Sequence, residues 1–185
     1  MDFILEGVGV FIYPLALCSL VAVYVIIERI ISLRQSKIVP KEIEQALLEG
    51  KGLEDLASLN SVAGRILYLE KNTNSNPEAL KAFAAQEMIK LERAMFLLDI
   101  VVSVAPLLGL LGTVAGLVKV FSGDGLPEPD LIAKGVGLAL STTVLGLAIA
   151  IPALAADSYI YRRIETLAAK INLCVERLID IKTSK

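Results

Sequence analysis

Four hydroxyl side chains stand in stretches that are otherwise almost wholly apolar. Thr113 lies in residues 105–121, APLLGLLGTVAGLVKVF, and Ser141, Thr142 and Thr143 lie in residues 139–153, ALSTTVLGLAIAIPA. A single hydroxyl in an apolar helix can bond its own backbone and so means little. Three in a row, with Thr113 on the neighbouring helix, can wet a path or bond a buried carboxyl. They cannot carry charge by titration, because a threonine hydroxyl has no useful pKa. The chain has no His, and its long uncharged runs contain no Asp, Glu, Lys or Arg. An ion or proton crossing here therefore needs a titrating group from another polypeptide. The same hydroxyls can also simply hold helices together, and the bare chemistry leaves both uses open.

The elements that must position these groups are apolar helices with small faces. Gly109, Gly112 and Gly116 interrupt the first stretch and Gly146 the second. Each glycine costs about 1 kcal/mol against alanine in a helix interior, a cost accepted in lipid where glycine lets helices approach closely. Residues 7–27, 100–118 and 135–156 carry no charged side chain, and each reaches the ~20 residues a bilayer span needs. The whole chain is 55% hydrophobic with a mean hydropathy of +0.67, above the ~45–50% of soluble domains. The acids Asp2 and Glu6 precede the first run where a signal peptide would carry Lys or Arg, so it is expected to be a retained anchor.

Charge sets an expected orientation. Arg29, Arg34, Lys37 and Lys41 follow the first run, and Arg162, Arg163 and Lys170 follow the third, whereas Asp124, Glu128 and Asp130 lie between the second and third. The positive-inside rule then places the N-terminus outside, and residues 29–95 and the C-terminus in the cytoplasm. A net charge of -2 with no basic cluster gives no nucleic-acid footprint. Cys18 and Cys174 lie far apart and there is no His, so neither a disulfide, a metal site nor a cofactor is expected. No nucleophile–base pair suggests an enzyme.

Between the first two runs the sequence is soluble in character. Residues 41–49 and 62–70 have helical apolar spacing, Gly50 and Gly52 stop the first of these, residues 53–59 make a short amphipathic turn, and residues 72–76 form a polar break. Asn76 followed by Pro77 is a helix start, and one long helix is predicted from there into the second span. Residues 122–130 read as a tight loop. The helical stripe of the third span continues through residues 161–181, and this tail is expected to pack on the helix that begins at Pro77. Three acids mark membrane borders: Glu28, beside Arg29 or a neighbouring subunit's cation; Asp99, where the second span begins; and Asp157, either near Arg162 and Arg163 or as a cytoplasmic proton exit.

The two hydroxyl-bearing stretches resemble the signature spans of the MotA/TolQ/ExbB proton-channel family, whose usual patterns are APLLGLLGTVxGxxxxF and ALxxTAxGLxxAIPA. The Glu28–Arg29 pair after the first span is similar as well. The resemblance is closer to the ExbB/TolQ branch than to the longer, four-span MotA branch. It implies a homopentamer around a central pore, holding two single-span helices of an ExbD/TolR/MotB-like partner whose membrane aspartate takes and releases protons. It further implies that Thr113 and Thr143 line the ion pathway, with Ser141 and Thr142 beside them. Two positions depart from the family pattern: Leu138 stands where many members have Glu, and Asp157–Ser158 replaces a common Tyr-Asn pair.

The expectation is an all-α membrane protein with three transmembrane helices, the second and third extended into the cytoplasm. The predicted segments are 1–29 (first span, N-terminus periplasmic), 30–94 (cytoplasmic), 95–121 (second span), 122–130 (periplasmic loop), 131–160 (third span) and 161–185 (cytoplasmic tail). The function implied is the channel subunit of an inner-membrane motor driven by protons or sodium. A non-conducting scaffold of the same fold and a small-solute transporter subunit are the alternatives.

Overall fold

The computed structural model describes residues 9–49, 61–73, 76–122 and 128–183. Among these, all regular structure is helical. A 3₁₀ turn, Gly9–Phe11, leads into α1 (Ile12–Ser32), followed by α2 (Gln35–Ile38), α3 (Lys41–Glu49), α4 (Val62–Thr73), α5 (Pro77–Glu92), α6 (Met95–Phe121) and α7 (Pro129–Thr183). Contacts divide the chain into two units. One holds Met1–Ile27 and Met95–Ser158; the other holds Glu28–Ala94 and Tyr159–Lys185.

The first unit contains the apolar helical segments. Among the described residues three helical stretches are long and apolar enough to cross a membrane. Their large side chains are mostly uncovered: Leu17, Leu20 and Tyr24 on α1, Leu107 and Leu111 on α6, and Val144 and Ile151 on α7 are all exposed. A continuous surface of this kind is unstable in water and suits lipid or further protein. Many of the buried positions are small, among them Ala22, Ala105, Ala139, Ala150 and Ala153, beside larger ones such as Leu15, Val25 and Leu98. Pro106 and Pro152 lie inside α6 and α7 without ending them, as is tolerated where neighbouring helices re-satisfy the freed backbone groups.

Several predicted boundaries move. The first helix begins at Ile12 and runs on to Ser32, so its end passes the predicted residue 29. The third begins at Pro129 rather than at 131, because proline is pre-organised for the first helical position. The Glu128 carbonyl there accepts from the amides of Leu131 at 2.9 Å and Ile132 at 3.1 Å. The helix predicted from Pro77 runs on into the second span as one stretch, Pro77–Phe121, with a turn at Arg93 and Ala94 that separates α5 from α6. Arg93 keeps helical dihedrals (φ -53, ψ -35), so only the regular bonding pattern is interrupted. α7, by contrast, is one helix of 55 residues. The Gly50 and Gly52 stop, the turn at residues 53–59 and most of the loop 122–130 lie outside the described residues.

The ion pairs seen among the described residues lie in the second unit. α4 is capped by Ser61, which is buried and whose Oγ accepts from the Gly64 amide at 3.0 Å. At α5 the Asn76 side chain accepts from the Glu78 amide at a long 3.5 Å, with Pro77 next in the chain. Arg29, at the end of α1, is buried; its Nη1 donates to the Leu91 carbonyl at 3.0 Å and its Nε lies 2.9 Å from the Glu28 carboxylate. Leu91 sits in the last turn of α5, where carbonyls lack partners and a cation is favoured. Glu87 is 3% exposed and holds Arg65 of α4 and, at 2.7 Å, Lys90. Burial alone would raise the Glu87 carboxyl, but the hydrogen bonds and charges of Lys90 and Arg65 outweigh it and hold it below the ordinary glutamate range.

A carboxyl whose folded value is depressed stabilises the fold above its unfolded value, about pH 4.3, and that contribution is lost as pH falls through the folded value. Thermal unfolding of the detergent-solubilised protein, followed by circular dichroism, should therefore weaken on acidification below about pH 4.3. Glu87→Gln should flatten that response and cost roughly 1–3 kcal/mol at neutral pH. The cost stays modest because the Arg65 and Lys90 side chains, 48% and 58% exposed, can return to water. An unchanged acid response in the variant would remove Glu87 as its source.

Candidate functional site

α6 and α7 run antiparallel along a seam of small residues within the first unit. A methyl group added at Gly146 would come 2.6 Å from the Ala105 carbonyl oxygen and 3.1 Å from the Gly109 Cα. One added at Gly109 would meet the Thr142 carbonyl oxygen at 2.9 Å and the Thr143 Cα at 3.0 Å. At Gly112 the obstacle is the Thr142 side chain, and at Gly116 it is the Ala139 Cβ at 3.0 Å. Gly135 closes on Val120 at the next level. Residues therefore pair in descending order on one helix against ascending order on the other.

This approach brings Thr113 and Thr143 together over one carbonyl. Thr113 Oγ1 lies 3.0 Å from the Gly109 carbonyl oxygen, Thr143 Oγ1 lies 3.2 Å from the same oxygen, and the two hydroxyls are 2.5 Å apart. Two hydroxyl protons serve three contacts. Oxygens this close must have a proton between them, so one hydroxyl donates to the other and the remaining proton goes to Gly109. The pair then presents only lone pairs outward. It can accept a bond from a protonated acid without loss, and it can donate to a carboxylate only by giving up an internal bond.

The other two hydroxyls point elsewhere. Thr142 is fully buried in the seam, its Oγ1 donating to the Ala139 carbonyl at 2.9 Å. Ser141 donates to the Gly137 carbonyl at 3.0 Å and lines a shallow groove of about 240 Å³ with Gly137, Leu140, Val144 and Leu145. Both satisfy their own helix. Leu138 is half-buried in α7. Asp99 is exposed, while Asp157 is half-buried with a buried Oδ1 that has no hydrogen-bond partner. These two acids, on α6 and α7, are electrostatic neighbours. Among the described residues no group of three or more His, Cys, Asp or Glu is placed to hold a metal ion.

Sequence reasoning named Gly109, Gly112, Gly116 and Gly146 but passed over Gly135, Ala139 and Ala105. The three- and four-residue spacing of small residues from Gly135 to Ala153 was the available signal. The Gly109 carbonyl had only a faint one, a threonine four residues later. The Asp99–Asp157 proximity follows only once the register of the seam is known.

The profile of the MotA/TolQ/ExbB proton channel family matches residues 50–172. The chain belongs to that family. It is 34% identical over 173 residues to an ExbB-like biopolymer transport protein of Synechocystis sp., covering 83% of this chain and 67% of that one. It is 29% identical over 169 residues to biopolymer transport protein exbB1 of Vibrio cholerae, covering 81% and 74%. Against biopolymer transport protein ExbB of Helicobacter pylori the identity is 32% over 127 residues, covering 66% and 83%. As a family member it is a membrane subunit of the proton-channel, energy-transducing class, and its seam lies in the part that the family profile matches.

The seam predicts unequal effects of adding one methyl. Gly146→Ala meets main chain and Gly112→Ala meets a fully buried side chain, so each should destabilise by about 1–3 kcal/mol. At Gly137 nothing lies within 4 Å, so Gly137→Ala should leave stability unchanged or raise it by up to ~1 kcal/mol. Thermal denaturation of the purified variants in detergent measures this; equal effects at Gly137 and Gly146 would contradict the register.

Proposed function

We propose that this protein is the channel subunit of an ion-driven inner-membrane motor, assembled as a homopentamer around a pore that receives the membrane helices of an ExbD/TolR-like partner. The observation that carries this reading is the Thr113–Thr143–Gly109 cluster, set in uncharged runs that contain no Asp, Glu, His, Lys or Arg. A carboxyl supplied by the partner would find acceptors for its protonated form. On losing the proton it would draw a hydroxyl away from Gly109. A charge isolated in hydrocarbon is costly, so a hydroxyl that can switch partners eases both states. The uncovered apolar faces of α1, α6 and α7 support burial against lipid and further copies. The N-terminus is placed outside and the C-terminus in the cytoplasm, on the basis of the basic residues that flank the first and third spans.

A second reading rests on the same cluster. Because both hydroxyl protons are used internally, the pair also suits a pure helix clamp, and Leu138 in place of the common Glu removes one polar group from the path. The protein would then be a non-conducting scaffold of the same fold.

Proton uptake into liposomes holding the protein and its partner separates the two. Conduction is expected, with Thr143→Val lowering it about tenfold through loss of one hydrogen-bonding group and Asp→Asn at the partner's membrane carboxyl abolishing it. Conduction that survives the partner variant would reject the motor reading, and no conduction in the wild-type complex would favour the scaffold.

A further inference from the structure

We propose that the groove on the C-terminal half of α7, lined by Tyr159, Arg162, Arg163, Thr166, Leu167 and Lys170, binds the phosphate of an anionic phospholipid headgroup. The groove has a volume of about 350 Å³, room for a headgroup rather than a lone ion. The described residues that line it include three cations and no acid. Neither Arg162 nor Arg163 is held in an ion pair among the described residues, in contrast to Arg29 and Arg65. Arginine presents a planar fork that matches two phosphate oxygens at once. Thr166 is not a donor to the ligand, because its Oγ1 already donates to the Arg162 carbonyl at 2.9 Å. Anion binding therefore falls on the guanidinium groups, with the Lys170 ammonium at the far end of the groove.

Position along the helix selects lipid over a soluble anion. The uncharged run of α7 ends at Ala156, and Tyr159 opens the groove within one further turn. That is headgroup depth for a span, and an exposed tyrosine ring is suited to that depth. A zwitterionic headgroup would place its ammonium against the cations. An anionic diester carries no such charge, and basic side chains beside a span attract it. The inference requires only that α7 crosses the bilayer, and it stands whether or not the hydroxyl cluster conducts.

The test uses the full chain in nanodiscs of phosphatidylcholine, with or without phosphatidylglycerol, and counts retained lipids by native mass spectrometry. Phosphatidylglycerol should be retained in preference, and the Arg162→Gln, Arg163→Gln double variant should lose that preference by on the order of tenfold. The Arg162→Lys, Arg163→Lys variant should fall between them, since it keeps charge but not the fork. Equal retention of both lipids by the wild-type protein would overturn the proposal without recourse to any variant. Full retention by the lysine variant would reduce the effect to diffuse attraction and overturn a built site. Inorganic phosphate that displaces the lipid, or binds alone with the same arginine dependence, would make this a site for a soluble anion. Carbodiimide crosslinks from carboxylates in the α7 tail of one copy to the Lys170 amine of another, with no lipid retained, would assign the groove to a subunit interface.

Discussion

The Gly109 and Gly146 backbones come closer than any side chain would permit, and the membrane unit depends on that approach. In lipid, apolar side chains gain little by leaving one apolar environment for another, so helix association rests on contact at short range. Each atom pair contributes little, and the sum is large only where two surfaces are both small and flat. Ala105, Gly109, Gly112 and Gly116 make such a surface on α6, and Gly135, Ala139, Gly146 and Ala150 make its counterpart on α7. The same closeness lets the Thr143 hydroxyl reach a carbonyl that belongs to the other helix. A wider crossing would leave Thr143 bonded to its own turn, and no shared cluster would exist.

Polar groups are distributed according to what surrounds them. Within the membrane unit the hydroxyls of Thr142 and Ser141 bond backbone carbonyls and the Thr113–Thr143 pair shares the Gly109 carbonyl, because an unpaired polar group in hydrocarbon is costly. Ion pairs belong to the other unit, where Glu87 ties α4 to α5 and Arg29 ties the end of α1 to the last turn of α5. Asp157 is the exception within the membrane unit, with one buried carboxylate oxygen unpartnered and Asp99 nearby. Both acids lie at an end of the seam, far along the helices from the hydroxyl cluster.

Much of this protein was legible in its residues. Three runs without charge, their small-residue spacing and the helix start at Asn76–Pro77 are local properties, because bilayer thickness and helical periodicity act on consecutive residues. Family membership was legible for the same reason, through two long motifs in order. Boundaries were less so. The Arg93–Ala94 turn and the extension of α1 to Ser32 leave little trace in hydropathy. The Ser61 cap was visible in principle, as a serine immediately before a helical pattern.

The sequence by itself determined that this chain spans a membrane, that its uncharged runs hold hydroxyls and glycines but no Asp, Glu, His, Lys or Arg, and that basic residues gather beyond two of them. Only the tertiary structure decided which of the four hydroxyls meet. Ser141, Thr142 and Thr143 are adjacent in the chain and nearly alike in chemistry, yet they sit about 100° apart around a helix. Which one joins Thr113 depends on the rotation and register of α7 against α6. Those are set by how glycine and alanine faces interlock over the whole seam, a property of two surfaces that no single stretch of sequence contains.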